Sequence, residues 1–188
     1  MHDVLILYSG GADSRLMIEL ALQLKKKIKC ILINYGQSHL EELKVAKEQL
    51  NDLFKEGDGN CWQEVTIKNL MVDSGLTGNF LDGQYEGVHE KHVPGRNSIF
   101  LSIAFSIAEA NNIPLIWIGC DYSDRLNLFP DCFQKYIVSF NEMLKHAGPK
   151  NIRVEAPLMG MTKEFILELL ESNGITKKDL FSGYERRI

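Results

Sequence analysis

The chain has 188 residues, 45% of them hydrophobic, and a formal net charge of -4 at pH 7. That length suits one domain over residues 1–188 with a substantial buried core, and the acidic balance argues against broad electrostatic capture of nucleic acid. The four cysteines (Cys30, Cys61, Cys120, Cys132) are widely spaced with no CxxC pair and no secretory signal before them, and no apolar run approaches the roughly 20 residues needed to span a bilayer. The expectation is a cytoplasmic protein with free thiols, no membrane association and a small molecule or a protein as its partner.

The first predicted element is a strand over Val4 to Tyr8, which leads directly into Ser9-Gly10-Gly11-Ala12-Asp13-Ser14 and a helical pattern from near Arg15. A strand delivered through a glycine-hinged turn into a helix start makes a phosphate cradle. Gly10 and Gly11 let the backbone approach an anion, the amides of Ala12 to Ser14 can point inward, and Ser9 and Ser14 add hydroxyls. Asp13 would repel phosphates unless a cation such as Mg²⁺ stood between them, so the loop predicts a nucleotide with its metal. No lysine follows the last glycine, which disfavours a Walker A reading and γ-phosphate transfer.

The first helix is closed by Lys25-Lys26-Lys27, where a helix C-terminus favours cations. Ile28 to Tyr35 reads as a strand covered on both faces. After it, Gly36 permits a tight exit, and Gln37 and His39 can face a ligand. Ser38 to Lys55 is an amphipathic helix, residues 56–60 a turn, and Trp62 to Ile67 a third strand. The segment from Lys68 to Lys91 is long for a connection, which suggests a lid or binding loop. Val93-Pro94-Gly95-Arg96-Asn97 then presents a guanidinium fork suited to carboxylate or phosphate, with Asn97 able to cap the helix over Ser98 to Ala110. Pro114 to Gly119 is a fourth strand, followed by a connecting loop and a helix from about Pro130 to His146. Ile152 to Ala156 is a short extended stretch, and a last helix opens at Thr162 and closes at Gly174. Alternating strands and helices imply an α/β fold, a doubly wound parallel Rossmann-like sheet with a short helical C-terminal region, whose ligands bind beyond the strand C-termini.

The opening loop resembles the signature of the PP-loop, or N-type, ATP pyrophosphatases, whose fold is of the adenine nucleotide alpha hydrolase type. With Asn34-Tyr35-Gly36-Gln37-Ser38-His39, Val93 to Asn97, Asp121-Tyr122-Ser123, Phe129-Pro130-Asp131-Cys132, Ala156-Pro157-Leu158 and Lys163, nearly the whole chain is similar to the QueC family. The resemblance implies an enzyme, an ATP-dependent C–N ligase: 7-carboxy-7-deazaguanine is adenylated with release of pyrophosphate, ammonia displaces AMP to give an amide, and a second ATP drives dehydration to 7-cyano-7-deazaguanine. It implies that Ser9, Gly10, Gly11, Asp13 and Ser14 hold pyrophosphate and Mg²⁺, with Asp13 as the magnesium ligand. Tyr8 and Tyr35 join them in the nucleotide site, and Lys163 neutralises phosphate charge. A lysine at a helix N-terminus opposes the dipole, which favours that functional role. Gln37, His39, Arg96, Asn97, Asp121 and Asp131 are the substrate candidates, and Asp13, Ser14, Lys163 and Arg96 the catalytic ones. Asp121 and Asp131 can equally be turn or cap residues.

The family usually carries a cysteine-rich zinc tail, and residues 180–185 take its place here, so no zinc site is expected. The segment Arg125-Leu126-Asn127-Leu128 also lengthens the stretch between Asp121 and Asp131. Two other readings follow: a relative that joins the deazaguanine to a protein amine in antiviral defence, and a nucleotide-binding subunit without turnover. The resemblance further suggests a homodimer.

Overall fold

Alternation within the first strand organises the whole molecule. In β1 (Val4–Tyr8), Val4, Ile6 and Tyr8 face one layer and Leu5 and Leu7 the other, so both faces need cover. α1 (Ala12–Gln23), α2 (Leu40–Leu53) and α6 (Lys163–Ser172) supply it on the first face through Leu16, Ala46, Leu50, Ile166 and Leu170. α3 (Arg96–Asn111) and α5 (Gln134–Ala147) cover the second through Leu101, Ala104, Ala108, Ile137 and Leu144. The computed structural model describes residues 1–36, 40–55, 57, 59–68, 93, 95–126, 129–176 and 179–180. Gln37, His39 and all of the 68–91 segment except Lys68 lie outside the described residues.

β2 (Ile28–Asn34), β3 (Cys61–Thr66), β4 (Leu115–Trp117) and β5 (Arg153–Glu155) complete a five-stranded parallel sheet of order β3-β2-β1-β4-β5. The extended stretch near residue 153 is therefore an edge strand, with Val154 opposite Ile116. On its outer side Asn141 of α5 brackets one residue: its Nδ2 donates to Val154 O (2.8 Å) and its Oδ1 accepts from Val154 N (2.7 Å).

Two expectations need correction after β4. The stretch read as a connecting loop contains a short helix, α4 (Tyr122–Leu126), and the helix expected from Pro130 is divided. Pro130 opens a 3₁₀ turn to Cys132, Phe133 is extended, and α5 starts only at Gln134. A proline suits a first turn, while the extended Phe133 halts the spiral before it becomes continuous. The last helix begins as the sequence suggests, with the Thr162 hydroxyl accepting from Phe165 N at 3.3 Å. Among the described residues no helix is long and apolar enough to cross a membrane.

Candidate active site

β1 lies between β2 and β4, so the strand order reverses beside it, and the crevice of a doubly wound sheet opens beyond the carboxyl ends of β1 and β4. β1 delivers the Ser9 to Ser14 loop to that place. Gly10 has φ +85°, and a Cβ on it would stand 3.0 Å from Ala46 Cβ of α2. Only glycine satisfies both the left-handed backbone and the close helix. The Ser14 hydroxyl donates to Gly11 O (3.0 Å) and accepts from Ser9 N (3.2 Å), so it braces the turn from within. Outside that brace, the first turn of α1 leaves the amides of Ala12, Asp13 and Ser14 without helical acceptors, which is what an anion needs.

Three charged side chains converge at this point. Lys163, the first residue of α6, donates to both oxygens of Asp13 (2.6 and 2.8 Å), and its Nζ lies 3.0 Å from Asp121 Oδ2. Asp121 is 1% exposed. Its Oδ1 accepts from Ser123 N (2.7 Å), Ser123 Oγ (2.5 Å) and Asp124 N (3.1 Å), which caps α4. Its Oδ2 is buried, has no well-directed hydrogen bond among the described residues, and faces Lys163 as an ion pair. Gly119 permits the approach: a Cβ there would lie 3.2 Å from Asp13 Cβ.

Burial works against ionisation throughout the cluster, but not with equal success. For Asp121 the Ser123 hydrogen bond and the Lys163 charge outweigh it and hold the carboxyl below its usual range. For Asp13 burial wins over Lys163, and the nearby Asp121 adds to it, so this carboxyl lies above its usual range. Burial would discharge Lys163, yet the two carboxylates overcome it and raise its pKa. Two carboxylates thus face one ammonium, with Asp121 buried and Asp13 and Lys163 partly exposed.

A second group lies beside the first, on α3 and the 3₁₀ turn. Asn97 N donates to Asp131 Oδ2 (3.2 Å), and Asn97 Nδ2 reaches Asp131 O (3.4 Å) and Cys132 Sγ (3.5 Å). Arg96 stays charged despite burial because of Tyr35, with which it shares a hydrogen bond, and because of Asp131. Tyr35 packs its ring 5.3 Å from that of Phe100. Thus Arg96, Asn97, Asp131 and Tyr35 gather together.

The model of the family described as "Queuosine biosynthesis protein QueC" matches residues 3–188. The chain belongs to the QueC family. A relative from Rickettsia felis, named 7-cyano-7-deazaguanine synthase, is 36% identical over 196 residues, covering 98% of this chain and 85% of its own. Among solved structures, NMN synthetase from Francisella tularensis has a TM-score of 0.61 at 14% identity, over 96% of this chain and 65% of that one. The U34-tRNA thiolase NcsA from Methanococcus maripaludis, solved with its [4Fe-4S] cluster, has a TM-score of 0.60 at 18% identity, over 96% of this chain and 59% of that one. At such identities these two likenesses establish the fold, the parallel α/β sheet already described.

Within this QueC-family chain the geometry unites Asp13, Lys163 and Asp121, and separately Arg96, Asn97 and Asp131. The Tyr8 hydroxyl donates to Gln49 Oε1 (2.7 Å) on α2, an oxygen 3.3 Å from where a Cβ on Gly10 would stand. Sequence reasoning missed Gly119, Ser123 and Asp124. An aspartate followed two and three residues later by Ser and Asp is an N-cap pattern, and that signal could have found the last two.

Proposed function

We propose that this chain is an ATP-dependent C–N ligase that activates a 7-deazaguanine carboxylate, 7-carboxy-7-deazaguanine, acting through one domain over residues 1–188. Use of ATP and ligation to nitrogen come with family membership. The observation that carries the site assignment is the convergence of Asp13, Lys163 and Asp121 on the crevice beside the first turn of α1. The triphosphate lies along the Ser9 to Ser14 loop, with the free amides of α1 facing its oxygens. A carboxylate oxygen of the acid attacks the α-phosphorus, and the bond to the bridging oxygen breaks as pyrophosphate leaves. Ammonia then attacks the acyl carbon and AMP departs, giving the amide; a second ATP activates the amide oxygen so that its loss leaves the nitrile. No protein nucleophile is required, and the side chains act by orientation and charge.

The residues present fit Mg²⁺. Asp121 Oδ2 is buried and lacks a well-directed hydrogen bond among the described residues, and Asp13 and Asp121 together exceed the charge of Lys163. Asp13 would ligate the ion and Asp121 would face it, while Lys163, released from Asp13, would turn to the phosphates. The ion supplies charge neutralisation for the leaving pyrophosphate. Arg96 with Asn97 and Asp131 forms the wall for the acid and its guanine-like edge, whose amide and amino hydrogens a carboxylate accepts.

The test is to incubate the protein with ATP, Mg²⁺, 7-carboxy-7-deazaguanine and ammonium, following pyrophosphate, AMP and product mass. Pyrophosphate, AMP and the nitrile are expected. Absence of AMP and pyrophosphate with every amine offered would overturn the enzyme reading in favour of a binding subunit. Amide that never proceeds to nitrile would favour a protein amine as acceptor.

A further inference from the structure

Three potential metal ligands meet beside the crevice, and the ligase chemistry uses none of them. Cys120 follows β4, Asp124 lies in α4 and Cys132 ends the 3₁₀ turn, yet their ligand atoms all lie within 4.8 Å of one another. Both cysteines are buried, at 0% and 5% exposure. Tetrahedral zinc with sulfur ligands at about 2.3 Å sets its sulfurs roughly 3.8 Å apart, so the cluster needs to contract by no more than about an ångström.

We propose that Cys120, Asp124 and Cys132 bind Zn²⁺, with three protein ligands and one open position. Two thiols with a carboxylate form a soft donor set that selects zinc over magnesium or calcium. The surrounding groups suit bound ligands as well. Asn97 Nδ2 donates to Cys132 Sγ (3.5 Å), and the Asp121 amide holds Asp124 Oδ2 (3.0 Å), an arrangement that fixes ligand orientation. Asp131 Oδ1, 3.9 Å from Cys132 Sγ, is the neighbour that opposes a thiolate, and a divalent cation removes that opposition.

Position gives the site its meaning. Cys120 adjoins Asp121 and Cys132 adjoins Asp131, so a zinc ion would fasten the two segments that carry these carboxylates. It is separate from the usual zinc tail of the family, and it stands or falls on metal binding alone, independent of the adenylation reading.

The full chain, stripped with a chelator under reducing conditions, is titrated with Co²⁺ alone and then with Zn²⁺. We expect one equivalent of Co²⁺, an intense near-ultraviolet thiolate-to-cobalt band, and its displacement by zinc. Cys120→Ser and Cys132→Ser should each weaken binding by at least about tenfold. Should those variants fail to fold, Cys30→Ala/Cys61→Ala retains only Cys120 and Cys132 as thiols, and zinc-edge absorption on that protein should count two sulfur neighbours. Absence of a sulfur-ligated metal, or loss of the cobalt band in Cys30→Ala/Cys61→Ala, would overturn the site. So would a Cys120–Cys132 disulfide whose reduction brings no metal uptake.

Discussion

The two ends of the sheet make an instructive contrast. At the amino end, His2 Nε2 lies 3.3 Å from Cys61 Sγ and Lys29 Nζ donates to the same sulfur at 3.9 Å, beside a cavity of about 630 Å³ lined by Phe54 and Trp62. Burial, then the charge of Lys29, lowers the pKa of His2. At the carboxyl end, two carboxylates and an ammonium crowd against a helix start, and Asp121 Oδ2 has no well-directed hydrogen bond among the described residues. The amino end has this cavity, but its polar groups satisfy one another with neutral or single-charge partners. The carboxyl end differs in setting two carboxylates against a single ammonium beside a helix start.

The contrast breaks first at Asp13. Asp13→Asn keeps the shape but loses the charge, and pyrophosphate release should fall by about 10²–10³-fold while the circular dichroism spectrum stays unchanged. Near-normal release would remove Asp13 from the metal role. Lys163→Met comes next. It leaves buried Asp121 without its cation, at a cost of about 2 kcal/mol in denaturant unfolding, less than for a fully buried pair because Lys163 is partly exposed.

The pH dependence of that variant sharpens the test. In the natural chain the lowered pKa of Asp121 contributes stability above about pH 4 that is lost as pH falls through the lowered value. Without Lys163 the folded pKa rises above the unfolded one, so stability should fall as pH climbs from about 4 towards neutrality. Asp13 and Asp124, whose carboxyls lie above their usual range, already pull stability down over those pH values in the natural chain. Thermal melts of the two proteins should therefore show the more negative slope in Lys163→Met, and an unchanged slope would mean that Lys163 does not govern Asp121.

Gly10→Ala tests the cradle's geometry. A methyl at φ +85°, 3.0 Å from Ala46 Cβ, should cost about 1–3 kcal/mol and raise KM for ATP as α2 or the loop shifts. The smallest effect is expected at the amino end, where Cys61→Ala should change stability by less than about 1 kcal/mol and leave pyrophosphate release as it was. A large loss of activity there would erase the distinction between the two ends.

Much of this arrangement could be read from sequence because it is local. The apolar run of β1, the glycine turn and the Thr162 cap declare themselves through neighbouring residues. Helix α4 was hidden because five residues carry too little periodicity to register. The division of the helix at Phe133 depended on how Pro130 is used, which the sequence alone leaves open. Asp121 could be read as a cap or as a site residue; in the fold its Oδ1 caps α4 and its Oδ2 faces Lys163. The cysteines mislead in the opposite sense: their spacing argues against a metal set, but the return of the chain from β4 through α4 brings Cys120 and Cys132 together. Gly119 looks like an ordinary strand end until the side chain of Asp13 is found against it.

The bracket that Asn141 places on Val154 also bears on how copies of this protein can meet. In a parallel sheet one residue of the terminal strand turns both its amide and its carbonyl outward, an invitation to any passing strand. On β5 that residue is Val154, and a side-chain amide from its own α5 occupies both groups. The sheet is thus finished on this flank, and self-association through β5 by strand addition would first have to evict Asn141.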